Sequence, residues 1–256
     1  PISKAKPDLT ALRASWGGIT VISDVHGMYQ SLLSALAWAR SRNHYVVLLG
    51  DVIDYGGDTL EVADEVYRLV MRGNGELIMG NHERKIARWA TQVEGGRSSI
   101  RLSDGNRVTT NALNALGAPA RKRWLGRFRG LIAQASHHRR IGNIVLAHAG
   151  VHPGYWNGTA TPKELETLSL FGEFEPPPAD GARPIQHHGW TDAIPSGTTV
   201  IVGHEIRSDH PLRVTNRQGG CAIFTDTGSG KGGNLSSVDL RFETEGQLRV
   251  ENFNLY

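Results

Sequence analysis

An α/β fold is predicted by three features of the sequence. Five short apolar runs each end in a polar residue able to hold a metal ion or a proton: "ITVISD" (19–24), "VVLLGD" (46–51), "ELIMGN" (76–81), "NIVLAH" (143–148) and "TVIVGH" (199–204). Their length and β-branched content, with glycine or polar turns at their ends, read as buried strands. Helix-length segments with apolar residues at helical spacing separate the first three runs. The last quarter returns to short alternating stretches. Strand, helix, strand, helix, strand implies a sheet whose sites form where strand carboxyl ends empty into loops.

In chain order, "PISKAKPDLTALRASWGG" (1–18) lacks the apolar centre of a signal peptide and reads as a loose N-terminal arm. Helices are predicted over Tyr29–Arg40 and Thr59–Arg72. Residues 82–137 read as mainly helical, interrupted by the polar loop "EGGRSSIRLSDGN" (94–106), so a helical insertion is placed at about 84–137. The stretch 156–184 is rich in Pro, Gly and acids and shows no clear period; a connection of that length is usually functional or disordered. From Leu212 to Tyr256, "CAIFTD", "LSSVDLRF" and "QLRVENFNL" suggest hairpins completing a second sheet. We expect one domain over 19–256.

The 256 residues are 39% hydrophobic and 21% charged, a composition that supports a sizeable globular core. No apolar run approaches the roughly 18 residues of a membrane span. A single cysteine, Cys221, makes no internal disulfide, so a cytoplasmic location is expected. The net charge of +3 permits an anionic substrate or a nucleic acid and argues for neither.

The strand ends supply Asp24 and His26 from "SDVHG", Asp51 from "GDVIDYG", Asn81 from "GNHE", His148 from "AHAG" and His204 from "GH". Mixed imidazole and carboxylate donors suit Mn, with Fe or Zn as alternatives. Asp24 and His26 stand one residue apart, so a bend after the strand can aim both at one ion. Asp51 has two oxygens and can bridge to a second ion completed by Asn81, His148 and His204. Two ions roughly 3.5–4 Å apart can clamp a phosphoryl group for in-line attack.

"DVHG", "GDVID", "GNHE", "AHAG" and the late "GH" occur in the order found in calcineurin-like metallophosphoesterases. The sequence resembles the phosphoprotein phosphatase branch of that family, which includes bacteriophage lambda phosphatase. "GNHERKIARW", "VLAHAGVHPG" and "FTDTGSGKGGNLSSVDL" are similar to the phosphatase module of bacterial polynucleotide kinase-phosphatases. "GHEI" lacks the second histidine of the GHxH pattern of other branches. The resemblance, from about Ile19 to Leu240, implies a four-layer α/β/β/α sandwich holding two divalent metal ions. It implies that His82 protonates the leaving oxygen while Asp54 orients and charge-stabilises that imidazole. It also implies a phosphomonoesterase in the manner of a Ser/Thr protein phosphatase, acting on a phosphorylated protein or small molecule. Phosphodiesterase and nucleotide phosphatase activities are the alternatives, and a metal-binding module without turnover is disfavoured.

Blander readings stand beside these. Each candidate ligand is ordinary in a strand-end turn; the ordered set is what carries the assignment. "TGSGKGGN" (227–234) fails the phosphate-loop pattern, because Thr225 replaces its first glycine and Gly232 follows Lys231; it reads as a hairpin loop. "RKRWLGRFRGLIAQA" (121–135) reads as a core helix with a solvated basic face. His137, His138, His152, His187, His188 and His210 read as surface or rim residues.

One departure bears on the substrate. Relatives usually read Asp-Arg-Gly where this sequence has Asp54, Tyr55, Gly56, and that arginine grips the terminal phosphate. Tyrosine offers one hydroxyl and a ring in place of a charged fork. Tyr55 and Arg84 are therefore candidate substrate-binding residues, with Arg183 and Lys163 as further cations in the region.

Overall fold

The structure, a computed structural model, describes residues 6–175 and 186–256. Its first half runs α1 (Leu9–Ser15), β1 (Gly18–Ile22), α2 (Tyr29–Ser41), β2 (His44–Leu48), α3 (Thr59–Met71), β3 (Gly75–Leu77), α4 (Asn81–Glu94), α5 (Asp104–Ala115) and α6 (Ala118–Gln134). Then come β4 (His138–Ile141), β5 (Ile144–Ala147), α7 (Pro162–Phe171), β6 (Glu173–Phe174), β7 (Gln186–His187) and β8 (Thr199–Val202). The chain closes with β9 (Leu212–Thr215), β10 (Cys221–Phe224), β11 (Ser236–Phe242) and β12 (Leu248–Leu255).

Two five-stranded sheets result, ordered β12-β11-β1-β2-β3 and β4-β5-β8-β10-β9. Strands β1, β2 and β3 are parallel, as are β5, β8 and β10. The two-residue period of a strand explains why their runs are apolar throughout: each face meets a different core. Val46 and Leu48 enter a core shared with α2, α3 and the helices α4–α6. Val47 and Leu49 enter the core between the sheets, with Ile144, Leu146, Ile201 and Ile223. Val145, Ala147, Val200, Val202 and Phe224 face outward onto Leu168 of α7 and Trp190. Helix, sheet, sheet and helix are thus stacked in the predicted order.

Three expectations are corrected. The segment read as a loose arm contains α1, which Asp8 caps by accepting from the Ala11 amide, and Leu12 is fully buried between the sheets. The stretch 156–184, read as aperiodic, contains α7; Thr161 and Glu164 form a capping box around Pro162, a start signal legible in "TPKE". The tail does not complete one sheet. β9 and β10 join the second sheet, whereas β11 inserts beside β1 in the first and β12 becomes its edge. Arg183 lies outside the described residues.

The insertion is three helices. Trp124, Leu125, Phe128 and Leu131 of α6 are buried, while Arg127 chelates Asp64 of α3 at 2.8 and 2.7 Å and Arg129 pairs with Glu94. The basic helix therefore packs as core with its cations outside. Residues 227–234 form a narrow loop bridged from Gly228 to Asn234 and from Ser229 to Gly233.

Candidate active site and metal centre

The six parallel strands deliver their carboxyl ends to one edge of the sandwich. There the backbone takes the left-handed conformation at His26, Asp51, Asp54, Tyr55 and His204, with φ between 47° and 74°. Non-glycine residues adopt it rarely, and its concentration here marks turns shaped for a site. Two glycines are dictated by close approach. A Cβ on Gly80 would lie 2.3 Å from Asp51 Oδ1, and one on Gly203 would lie 2.0 Å from Asp24 Oδ2.

The turns are tied to each other. The amides of Val25 and His26 donate to the Asp51 carbonyl at 3.1 and 2.9 Å, and Gly203 donates to the His148 carbonyl at 2.8 Å. Glu83, fully buried, accepts from the amides of Asp51 and Val52, both at 2.8 Å, and from Gly80 at 3.1 Å. This glutamate of "GNHE" locks the second loop to the third. Burial, then the neighbouring Asp51 charge, pushes its carboxyl up to about 7.

Asp51 is the hub. Its Oδ2 lies 3.9 Å from His26 Nε2, 3.8 Å from His82 Nε2 and 3.4 Å from His148 Nε2. Burial opposes its ionisation, but His148, His82 and His26 outweigh burial and hold it well below the usual carboxylate range. Two donor groups share it: His26, Asp51 and His82 form one, and Asp51, His148 and His204 the other. Asn81 Oδ1 lies 3.1 Å from His148 Nε2, and His204 Nδ1 lies 3.1 Å from the same nitrogen.

Tautomers favour ligation. His26 Nδ1 faces the Ile53 carbonyl at 3.0 Å and His148 Nδ1 faces the Leu49 carbonyl at 2.8 Å. A ring nitrogen that donates to a carbonyl leaves its opposite nitrogen with a lone pair for an ion. Indeed His26 Nε2 is buried without a hydrogen-bond partner, as is Asp226 Oδ2. Burial, reinforced by Lys231 and His82, lowers His26 to about 4; burial and then His148 lower His204 to about 3. Both rings are neutral at pH 7. Without metal, His148 is raised to about 10, because Asp51, Asp24 and Glu83 outweigh burial, so an ion would have to displace its Nε2 proton. The donor set, the unpartnered nitrogen and the glycine-lined cradle fit divalent ions.

Asp24 sits somewhat apart from the two donor groups. Both its oxygens accept from the His204 amide at 3.0 Å, and its Oδ1 lies 3.9 Å from His148 Nδ1. Burial, then Asp226, pushes its carboxyl up to about 8. Asp226 lies two residues beyond β10 and belongs to the same cluster of buried carboxylates, a member that the sequence reading missed inside "FTDTG".

His82 opens α4. Its Nδ1 lies 2.5 Å from Asp54 Oδ2, which aims Nε2 back at the centre. Burial disfavours the imidazolium, but Asp51 and Asp54 outweigh it and raise the His82 pKa. Asp54 is fully buried and held from α5: Thr109 Oγ1 donates to its Oδ1 and Asn106 Nδ2 to its Oδ2, each at 2.5 Å. The helical insertion therefore builds the support for the proton donor, a role that "DGNRVTT" does not announce.

Tyr55 lines the mouth and is 37% exposed. Its ring stands edge-on to His26 at 4.8 Å and tilted to His82 at 5.6 Å. Gly105 leaves room for it, since a Cβ there would meet the ring at 2.7 Å. Lys231 Nζ sits 4.8 Å from the ring centroid. Its loop reaches the centre because Gly230 packs where a Cβ would lie 2.7 Å from His26 Cβ.

The other candidates point elsewhere. Arg84 is drawn to α7, with Nη2 2.9 Å from Glu166 and its guanidinium 6.0 Å from Phe171, so its charge is already paired. Lys163 is exposed at the start of α7. His152 accepts from the Gly154 amide at 3.0 Å, His187 and His188 pair with Glu175 and Glu205, His210 pairs with Asp209, His138 packs on Tyr155 and His137 lies 4.0 Å from Glu166. None of the six enters either donor group.

Known proteins resemble the chain over most of its length. Bis(5′-nucleosyl)-tetraphosphatase PrpE [asymmetrical] of Halalkalibacterium halodurans is 27% identical over 235 residues, covering 87% of this chain and 89% of its own. The protein of the same name from Oceanobacillus iheyensis is 26% identical over 199 residues, 73% of this chain and 76% of its own. A solved structure provisionally named a diadenosine tetraphosphatase shares the fold with a TM-score of 0.55 and 22% identity, over 92% of this chain and 93% of that one. So does the cold-active protein-tyrosine phosphatase of a Shewanella species, with a TM-score of 0.56 and 17% identity, over 93% and 81%. The family profile for calcineurin-like phosphoesterases matches residues 18–214. The chain therefore belongs to the calcineurin-like phosphoesterase family and is a metal-dependent phosphoester hydrolase.

Proposed function

We propose that this phosphoesterase cleaves a phosphoanhydride bond inside a dinucleoside polyphosphate, of the bis(5′-nucleosyl) tetraphosphate class. The observation that carries this reading is the Tyr55–Lys231 pair at the mouth of the centre. A terminal phosphomonoester carries up to two charges and suits a guanidinium fork. An internal phosphate of a polyphosphate carries one, and the single ammonium of Lys231 matches it. The names of the curated relatives support the same substrate class. On these grounds we prefer it to the phosphomonoesterase reading.

His26, Asp51, His148 and His204, with Asp24 and Asn81 beside them, are the residues that would hold two divalent ions, with Mn the best match to the donors and Fe or Zn as alternatives. When bound, such ions neutralise phosphoryl oxygens and acidify water. The protein's own share is orientation and proton delivery. Asp54 fixes His82 so that Nε2 faces the reacting centre, and the protonated ring gives its Nε2 proton to the leaving oxygen. Lys231, steadied by the Tyr55 ring, binds the phosphate next to the scissile one. We read the enzyme as cytoplasmic; Cys221 is buried and unpaired.

Product analysis tests the proposal. With Mn, a dinucleoside tetraphosphate is expected to give nucleoside mono- and triphosphate with a kcat/KM well above that for p-nitrophenyl phosphate or a phosphopeptide. A preference for either monoester would overturn it.

A further inference from the structure

A cavity of about 840 Å³ lies between α4, the helix that carries His82, and the segment leading into α5. Its lining includes Lys85, Trp89, Arg101, Ser103, Asp104 and Arg107. One wall continues the helix that His82 opens, and the other flanks residues that support Tyr55 and Asp54. On α4, Lys85 and Trp89 follow His82 by three and seven residues, so the three share one stripe of the helix. At 1.5 Å rise per residue, Trp89 stands about 10 Å along the axis from His82. On the opposite wall, Ser103, Asp104 and Arg107 bracket Gly105 and Asn106. Gly105 packs on the Tyr55 ring, and Asn106 donates to Asp54.

The lining is cationic. Lys85, Arg101 and Arg107 face one carboxylate, Asp104. Among the described residues neither Lys85 nor Arg101 has an acidic partner within 4.0 Å, and the pairing of Arg107 with Asp104 is a loose 3.9 Å contact in solvent. Trp89 is half-buried, packed against the helical core, and so presents a fixed ring. The volume falls in the range of pockets for small organic ligands. A fixed aromatic ring is a stacking platform for any base, because every base has a π-face.

We infer that this groove is a subsite for the distal phosphates and nucleoside of a polyphosphate substrate, with Lys85, Arg101 and Arg107 taking the phosphates and Trp89 stacking the base. The inference rests on the polyphosphate reading above and deepens it. That reading concerns the bond cleaved beside His82; this one concerns the part of the substrate that is not cleaved, and it explains selection for a long substrate.

The test compares two substrates in one protein. The triple variant Lys85→Ala/Arg101→Ala/Arg107→Ala is assayed with Mn on a dinucleoside tetraphosphate and on bis-p-nitrophenyl phosphate. The ratio of the two kcat/KM values is expected to fall at least tenfold, mostly through KM, and Trp89→Leu is expected to lower it in the same direction. A general structural defect moves both substrates together and leaves the ratio unchanged, which would overturn the subsite while the polyphosphate reading stands. Should the wild type prove inactive on the dinucleotide, that reading fails, and titration calorimetry with ATP in chelator decides the groove. ATP binding by the wild type that the triple variant lacks supports it. No ATP binding by the wild type overturns it.

Discussion

At the scale of single residues, the chemistry turns on how much help the leaving group needs. A departing polyphosphate is a weak base, whereas an alkoxide departing from an alkyl phosphate must be protonated. His82→Asn is therefore expected to cost about 10²-fold in kcat on a dinucleoside tetraphosphate and nearer 10⁴-fold on an alkyl monoester such as glycerol phosphate, within the range for a positioned acid. Equal losses on both would remove His82 from the role of acid. Asp54 and Asp51 raise the His82 pKa, and the ring must be protonated to act, so activity falls as pH rises through that value. Asp54→Asn removes one of the raising charges, and a pH–rate profile should show the alkaline limb moved to lower pH. Lys231→Ala should lower kcat/KM on the polyphosphate by about 10–100-fold, with Lys231→Arg retaining most of it; a bidentate charge restored by Tyr55→Arg should raise activity on monoesters.

The six candidate ligands were proposed from a local pattern, an apolar run followed by Asp, Asn or His, whereas the role of His82 came from the family resemblance. Glu83, Asn106, Thr109 and Asp226 were not legible. Glu83 reads as a helix-start acid until its carboxylate is seen accepting four loop amides. Asn106 and Thr109 act on Asp54 across about fifty residues of chain, a contact that only the folded insertion creates. Lys231 was judged against the phosphate-loop pattern, which it fails, and its real partner is the ring of Tyr55.

At the scale of elements, the turns after the strands matter more than the strands. The Cβ added by Gly203→Ala would collide with Asp24 Oδ2, and that added by Gly80→Ala with Asp51 Oδ1. Either substitution should weaken Mn affinity by about 10–100-fold, the cost of disturbing a ligand's support. Calorimetric titration with Mn checks this, and wild-type affinity in both variants would mean that these carboxylates do not hold ions. The helix α5 is a second such element. Thr109→Val leaves Asp54 short of a donor in a fully buried place, with an expected loss of about 1–3 kcal/mol by denaturant unfolding. What the sequence could not convey at this scale is which sheet a strand joins. Period-two alternation in "LSSVDLRF" marks a strand, but its pairing with β1 is set by long-range packing.

At the scale of the molecule, the same buried cluster couples metal, protons and stability. In the metal-free protein Asp24 is raised to about 8 and His148 to about 10. Their contributions to stability are full below the unfolded-state values of about 3.9 and 6.5 and are lost as pH rises toward the folded values. Glu83, raised to about 7, acts in the same direction. His26 and His204 are depressed and act oppositely, but only below about 6.5. Metal-free protein should therefore lose stability from pH 6.5 to 8, by up to about 1.4 kcal/mol per pH unit for each retained proton. Bound Mn takes the place of those protons, so the melting temperature should rise and its pH slope flatten. A slope of the opposite sign in chelator would refute the proton assignments.

Hydrolysis depends on five strand ends, those of β1, β2, β3, β5 and β8, meeting in one centre that would hold two ions. The most direct measurement is the Mn content of purified, reconstituted protein together with its hydrolysis rate. The account predicts two Mn per chain, abolition of hydrolysis by chelation, recovery on returning Mn, and loss of both ions' occupancy and activity in Asp51→Asn. Hydrolysis that survives chelation, or full occupancy and activity in Asp51→Asn, would contradict it.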